Sequence, residues 1–234
     1  AYARLLERDG DDLGALHASA RAAERAGQPA RAVEVLEKQA SLAAPGPRRA
    51  ALLHRAATLT ADALGDASAA SRALEALVEQ SPDHLPSLET LARLYADGGQ
   101  WDALDRVYGR LLPLVGSARE QVRLHLRRGD LRETQLGDDG GAIDAYAEAL
   151  QLDPDCDAAR EARIAALARA ERWSDLSAAL LERIGRLTEA GERARAWTEL
   201  GELREERQDD RDGALEAYER SEERRCRERV YLAV

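Results

Sequence analysis

The chain has 234 residues, of which 44% are hydrophobic and 33% are charged, and its formal net charge is −10. That apolar fraction is too high for a disordered chain, and no run of residues approaches the roughly 18 apolar residues of a membrane-spanning helix. The acidic balance disfavours sequence-blind binding of nucleic acid, and two cysteines are too few for a disulfide-dense scaffold.

Local patterns along the chain predict six pairs of helices. The third pair shows the pattern most clearly, because Leu88, Leu91 and Tyr95 recur at helical spacing before a Gly-Gly turn. Its second helix begins at Trp101. The predicted pairs, in chain order, are 12–44, 47–82, 85–116, 118–154, 157–189 and 192–228. These pairs predict an all-α fold.

Short acidic sequences mark the turn between the two helices of alternate pairs. They are Gly65-Asp66, Gly137-Asp138 and Asp209-Asp210. A glycine can end one helix there, and an aspartate side chain can cap the next. The acidic run 209–212 also carries the carboxylates that Mg²⁺ prefers, but its aligned copies occupy the same turn, which favours capping.

The pairs repeat at fixed intervals. The anchor residues of successive second helices, which lie 38 and 34 residues apart in alternation, are Ala32, Ala70, Leu104, Ala142, Leu176 and Ala214. Two pairs together therefore make a block of 72 residues, and Leu74, Tyr146 and Tyr218 share another column at that offset. A period near 34 residues is typical of a helix-turn-helix repeat.

This pattern resembles the tetratricopeptide repeat (TPR) family. The matching residues are Leu88, Leu91, Ala92, Tyr95, Gly99, Leu104, Tyr108 and Leu111 in 85–116; Ala142, Tyr146, Ala149 and Pro154 in 139–154; and Trp197, Leu200, Gly201, Ala214 and Tyr218 in 197–218. The resemblance covers essentially the whole chain, although 12–44 and 157–189 are degenerate. It implies a right-handed α-solenoid of about six antiparallel helix pairs, whose first helices line a concave groove.

Both ends of the chain fall inside a repeat unit. Residues 1–8 align with the tail of a second helix, and residues 230–234 align with the opening of a first helix. Because a bare solenoid end exposes an apolar stacking face, we expect residues 1–234 to form one solenoid within a longer repeat protein. All basic residues except Lys38 are arginine, which indicates a GC-rich, bacterial genome.

The sequence contains no evident catalytic or metal-binding constellation, and we predict no enzyme activity, no metal and no cofactor. The four histidines, which lie in four different repeat units, are His17, His54, His84 and His125. Cys156 and Cys226 occupy different repeat columns and have no local histidine partner, so incidental thiols are favoured over a nucleophile.

The aromatic residues fall in core columns of the repeat. We therefore predict that Trp101, Trp173 and Trp197 pack between helices and do not stack on nucleic-acid bases. The charged run 219–229 has opposite charges one helical turn apart, which is typical of a solvated helix face. A partner-binding edge is the alternative interpretation of this run.

The groove residues are the candidate partner-binding site. The TPR subclass that grips the C-terminal carboxylate of chaperones uses Lys and Asn on first helices, but this chain has no Asn and its one Lys lies in a second helix. Arg21 and Arg93 share a column and could bind an acidic segment bidentately; pairing with Glu24 or Glu89 is the alternative. The candidate site residues are His17, Arg21, His54, Glu89, Arg93, Arg123, Asp130 and Glu202.

These observations favour a non-enzymatic scaffold whose groove takes a segment of another protein. Self-association through the solenoid ends is a related possibility. The alternative hypothesis is a regulatory or substrate-recruiting arm of a larger enzyme whose catalytic domain lies outside this segment. We expect no nucleic-acid partner, no membrane insertion and a cytoplasmic location.

Overall fold

The computed structural model describes the backbone of residues 12–231 and the side chains of residues 12–221. These residues form twelve α-helices and no β-strand. They fall into two compact units, the first ending at Val115 and the second beginning at Gly116. The first unit contains α1 (Leu13–Arg25), α2 (Pro29–Leu42), α3 (Pro47–Asp62), α4 (Ala67–Gln80), α5 (Leu85–Asp97) and α6 (Trp101–Leu111), followed by a 3₁₀ turn, Leu112–Leu114. The second unit contains α7 (Ala118–Leu131), a π-helical turn (Arg132–Leu136), α8 (Asp139–Leu152), α9 (Asp157–Arg169), α10 (Trp173–Arg186), α11 (Ala190–Gln208) and α12 (Arg211–Tyr231).

Consecutive helices pack against one another within each unit. In the first unit, Leu36 of α2 is buried between Ala20 of α1 and Ala56 of α3, and α3 also contacts α5. In the second unit, Leu167 of α9 and Leu200 of α11 are completely buried in one core that α8 and α10 also line. The predicted all-α repeat fold of helix pairs is confirmed.

Two predictions about chain organisation have different outcomes. The single solenoid over residues 1–234, within a longer protein, stays a prediction, and residues 1–8 lie outside the described residues. The alignment of residues 230–234 with a new first helix is wrong for Val230 and Tyr231, because α12 continues through both. Residues 232–234 again lie outside the described residues.

The predicted aspartate caps are present in the structure. Each carboxylate accepts a hydrogen bond from the backbone N–H three residues later: Ala69 to Asp66 at 2.8 Å, Gly141 to Asp138 at 2.9 Å, and Gly213 to Asp210 at 3.0 Å. The residue before each cap is left-handed, with φ of +70° at Gly65, +63° at Gly137 and +51° at Asp209. Asp210 therefore serves as the cap within the acidic run at 209–212.

A close approach between a glycine and a tyrosine recurs in the second unit. A Cβ atom on Gly129 would lie 2.3 Å from the ring of Tyr146, and one on Gly201 would lie 2.5 Å from the ring of Tyr218. Since real Cβ atoms do not approach that closely, glycine is required for the rings to lie where they do. The corresponding columns of the first unit hold Ala57 and Leu74, and both of these residues are buried.

The tryptophans do not share one environment. Trp197 is 8% exposed and lies in the core of the second unit, with the Arg220 guanidinium 4.8 Å from its ring. Trp101 and Trp173 are the first residues of α6 and α10 and are only partly buried. The prediction that the tryptophans pack between helices is confirmed for Trp197 and for Trp173, which packs against the same core. Trp101 is less deeply buried than Trp197.

One degenerate pair contains a buried arginine. Arg160 occupies the column of Leu88, is 6% exposed, and donates to the Pro154 carbonyl oxygen at 2.6 Å and to the Asp157 carboxylate. A charge can be buried at this position because both of these partners satisfy it. At this position of the degenerate pair 157–189, arginine therefore replaces leucine without changing the helix-pair fold.

Candidate functional site

In the first unit the first helices of the pairs, α1, α3 and α5, lie side by side and are joined by polar contacts. Arg55 of α3 forms an ion pair with Glu24 of α1, and Arg93 of α5 lies 2.9 Å from the Asp62 carboxylate of α3. Each pairing spans 31 residues of the chain. These three helices therefore present one polar surface, which we call the α1–α3–α5 face.

Two candidate residues on this face have no polar partner among the described residues. His17 and Arg21 of α1 are exposed, and neither forms a hydrogen bond or ion pair with a described residue. The proposed alternative for Arg21, pairing with Glu24, is wrong, because Glu24 pairs with Arg55. Both side chains remain available on the surface of α1.

Arg93 is occupied, but by other partners than the sequence suggested. It pairs with Asp62 and lies 3.8 Å from Asp97 one turn later, while Glu89 is exposed and forms no pair with it. These ion pairs are exposed to solvent, and exposed pairs contribute only about 0–1 kcal/mol. Arg93 can therefore exchange them for an incoming carboxylate at little cost.

His54 joins two helices. Its Nε2 lies 3.1 Å from Thr90 Oγ1 of α5, and its ring lies edge-on to that of His84 with centroids 5.6 Å apart. Burial lowers the pKa of His54, against smaller opposing effects of a backbone hydrogen bond at Pro86 and of the Glu89 charge. Burial and the neighbouring His54 lower the pKa of His84. His54 thus lies between helices as a neutral hydrogen-bonding group.

The second unit carries the other three candidates on two helices. Arg123 and Asp130 lie on α7 and Glu202 on α11, and all three are exposed. The helix between them, α9, is fastened to the end of α7 by Arg169, which lies 2.9 Å from the Glu133 carboxylate. All three candidates therefore lie on exposed faces of first helices, but they do not form one cluster.

Sequence reasoning missed two arginines beside Arg123. Arg119 and Arg127 lie one turn before and one turn after it on α7, and both are exposed. None of the three forms a hydrogen bond or ion pair with a described residue. The spacing of four residues was the available signal, but Arg123 was selected from the repeat columns alone.

The described residues form no metal-binding cluster. No group of three or more His, Cys, Asp or Glu side chains there could hold a metal ion. Cys156 is a free, partly buried thiol, while the side chain of Cys226 lies outside the described residues. Among the helices described, none is both long and apolar enough to cross a membrane.

A surface groove of about 790 Å³ lies where α10 begins and α11 ends. Its wall includes Trp173, and the Arg207 guanidinium lies 5.2 Å from the centroid of that ring. Arg172 and Asp175, which also line it, form an ion pair with each other. The polar groups that would orient a ligand are therefore partly occupied by one another.

Comparison with known families identifies one repeat directly. The model of the tetratricopeptide repeat family matches residues 122–156, which contain most of α7 and all of α8. Residues 122–156 are thus similar to a tetratricopeptide repeat. The recognition of this repeat from sequence is confirmed, and the matched segment includes the Gly129–Tyr146 contact.

Several solved tetratricopeptide-type structures are similar to this chain. A tetratricopeptide repeat protein from Parabacteroides merdae is 17% identical, with 95% of this chain and 92% of that chain covered and a TM-score of 0.47. MamA from Desulfovibrio magneticus is 16% identical, with coverages of 91% and 94% and a TM-score of 0.44. YrrB, described as a TPR protein with an unusual peptide-binding site, is 12% identical, with coverages of 96% and 92% and a TM-score of 0.43. No curated protein matches the sequence.

Proposed function

We propose that this tetratricopeptide-type chain is a non-enzymatic interaction scaffold that binds a segment of a partner protein on the exposed faces of its first helices. The observation that carries the proposal is the division of each first helix into two faces. In α1, Leu16 and Ala20 are buried, whereas the adjacent His17 and Arg21 are exposed. The exposed face does not contribute to the core and can change its residues without loss of the fold.

The same division is present in α5. Leu88 and Leu91 are buried, and Glu89 and Arg93 are exposed. Polar side chains on neighbouring helices, joined by weak and exchangeable ion pairs, suit recognition of an extended or helical peptide. The proposed role also agrees with that of tetratricopeptide repeats, which are protein interaction modules.

The test is affinity capture from the native lysate, followed by mass spectrometry of the retained proteins. Wild-type chain is compared with Arg21→Glu/Arg93→Glu, which reverses two charges on the α1–α3–α5 face. The control, Arg31→Glu/Arg72→Glu, makes the same charge change at exposed positions of the second helices α2 and α4. Circular dichroism checks that all three proteins keep the same helicity.

We expect the first variant to lose partners that the wild type and the control retain. Equal capture by all three proteins would count against binding on this face. Equal loss by both variants would show that net charge, and not the face, governs retention.

A further inference from the structure

The first helix of the second unit carries a line of arginines on one face. Arg119, Arg123 and Arg127 are spaced four residues apart on α7, and we call them the arginine stripe. Residues four apart lie one above another on a helix, and a rise of about 1.5 Å per residue spreads the three over about 12 Å. All three side chains are exposed to solvent.

The stripe lacks the internal partners that neighbouring arginines have. Arg160 and Arg169 each form an ion pair, and Arg183 lies between the carboxylates of Glu161 and Glu199. The arginine stripe forms no such pair among the described residues. These three cations are therefore available to an external group.

The arrangement works against the stability of α7. Like charges one turn apart repel each other along a helix, and Arg119 lies in the first turn, where the helix dipole disfavours a cation. Glu120, also in the first turn, offsets part of that effect. An arrangement that costs stability without a structural contact is more simply explained by recognition.

Acidic groups at the end of α7 and the start of α8 do not pair with the stripe. Glu133, which follows α7, accepts hydrogen bonds from Arg169 and Tyr146. Asp139, the first residue of α8, also pairs with Arg169. Asp130 lies on α7 beyond the stripe and is exposed. The α7 face therefore changes from positive to negative along its length.

We propose that the arginine stripe binds an acidic helical segment of a partner protein, with Glu or Asp side chains spaced four residues apart. Such carboxylates repeat at the same interval of about 6 Å as the arginines. Each guanidinium can then hold one carboxylate through two parallel hydrogen bonds. A long uniform polyanion such as RNA fits less well, because Asp130 and the net charge of −10 would repel it.

This inference rests on the proposed scaffold function and names the chemistry of its partner. The probe is a fluorescein-labelled, alanine-rich helical peptide of about 20 residues, long enough to be helical in water. It carries three Glu residues spaced four apart. A second peptide carries Gln in place of Glu, and a third has the same composition with the three Glu adjacent. Binding to the full chain is measured by fluorescence anisotropy at low and high salt.

The decisive variant is Arg119→Gln/Arg123→Gln/Arg127→Gln. Its matched control, Arg25→Gln/Arg31→Gln/Arg48→Gln, removes three exposed arginines of the first unit, so the net charge changes equally. We expect the stripe variant to weaken binding of the spaced-Glu peptide by roughly tenfold, because three exposed charge pairs are lost. We expect less than about a twofold effect in the control and weaker binding at high salt.

A conservative variant separates charge from geometry. Arg119→Lys/Arg123→Lys/Arg127→Lys keeps the charges but removes the paired hydrogen bonds, so intermediate affinity is expected. Equal affinity of wild type and the Gln variant, or tighter binding of an RNA oligonucleotide than of the peptide, would overturn the inference. If the stripe variant still captures the wild-type set of proteins from lysate, the scaffold function stands and only the acidic partner is wrong.

Discussion

The pair α3/α4 in the first unit and the pair α7/α8 in the second solve the same packing problem differently. In the first, the column positions are Ala57 and Leu74; in the second, they are Gly129 and Tyr146. The larger ring of Tyr146 is accommodated by removal of the Cβ atom from the facing residue. A tyrosine in this column therefore requires glycine at the facing position, whereas the pair with leucine in the column has alanine there.

The exchange also adds a polar contact. The Tyr146 hydroxyl donates a hydrogen bond to the Glu133 carboxylate at 3.0 Å, which leucine at the same column cannot do. The Tyr218 hydroxyl makes the same bond to Glu205 at 2.9 Å. Burial and the hydrogen bond to Glu205 raise the pKa of Tyr218 to about 12. Where this column holds tyrosine, its hydroxyl therefore links the second helix of the pair to the end of the first by a hydrogen bond.

The largest expected effect is truncation of the buried ring. Tyr146→Ala should lower the free energy of unfolding by about 3–5 kcal/mol, and Leu74→Ala by about 2–5 kcal/mol, because each leaves a cavity. Urea unfolding gives the totals, and hydrogen exchange by mass spectrometry assigns each loss to a unit. A change below about 1 kcal/mol for Tyr146→Ala would contradict its place in the core.

Exchange of the small residue comes next. Gly129→Ala would ordinarily stabilise a helix by about 1 kcal/mol, but the new Cβ meets the Tyr146 ring. We expect a loss of about 1–3 kcal/mol instead. Ala57→Gly in the first unit should cost about 1 kcal/mol through propensity. Thermal or urea unfolding of both variants checks the sign, and a stabilising Gly129→Ala would mean that the ring moves freely.

A double-mutant cycle tests the coupling directly. Leu74→Tyr alone should destabilise α3/α4 through overpacking by about 1–3 kcal/mol, and Ala57→Gly in the same chain should recover a substantial part of that loss. Because Ala57 and Leu74 occupy the columns in which Gly129 and Tyr146 are in contact, the two effects should not add. Strict additivity in urea unfolding would show that the two positions are not coupled.

Removal of the tyrosine hydroxyl should have a smaller effect. Tyr146→Phe keeps the ring and loses the hydrogen bond to Glu133, which should cost about 0.5–1.5 kcal/mol. The measurement is again urea unfolding, with Glu133→Gln as the companion variant. If Tyr146→Phe left the free energy of unfolding unchanged, the hydrogen bond to Glu133 would orient the ring without stabilising the fold.

The smallest effect concerns acid. The pKa values of His54 and His84 are lowered in the folded protein. As the pH falls below about 6.5, the unfolded chain therefore binds more protons at these two residues than the folded protein does. Their contribution to stability is complete above that pH and is lost as the pH falls through the range between the unfolded and folded pKa values. His54→Gln/His84→Gln should flatten this dependence in the first unit. Parallel pH profiles of both proteins would show that the histidine pair is irrelevant to acid stability.

Local features of the fold were predictable from the sequence. The caps at Asp66, Asp138 and Asp210 follow from residues within one turn, and the 72-residue offset placed all three in the same column. The ion pairs of the candidate site were not predictable, because Asp62 reaches Arg93 only across the interface between pairs. Sequence columns give the face of a helix, but not the distance between neighbouring helices.

Burial at helix ends was also beyond the sequence. Trp101 matches a column of the repeat, yet it is the first residue of α6 and only part of its ring is covered. The contact between His54 and His84 likewise joins residues of different columns. Both depend on how far one helix extends past the next, which no periodic pattern specifies.

The turns at Asp138 and Asp210 have the same backbone and the same cap. A segment from Asp138 to Asp209 begins on a capping aspartate and ends on a left-handed residue directly before the next one. Tandem duplication of that segment would place Asp209 directly before a second copy of Asp138, again a left-handed residue followed by a capping aspartate. The turn at the point of insertion would then need no compensating mutation of its own.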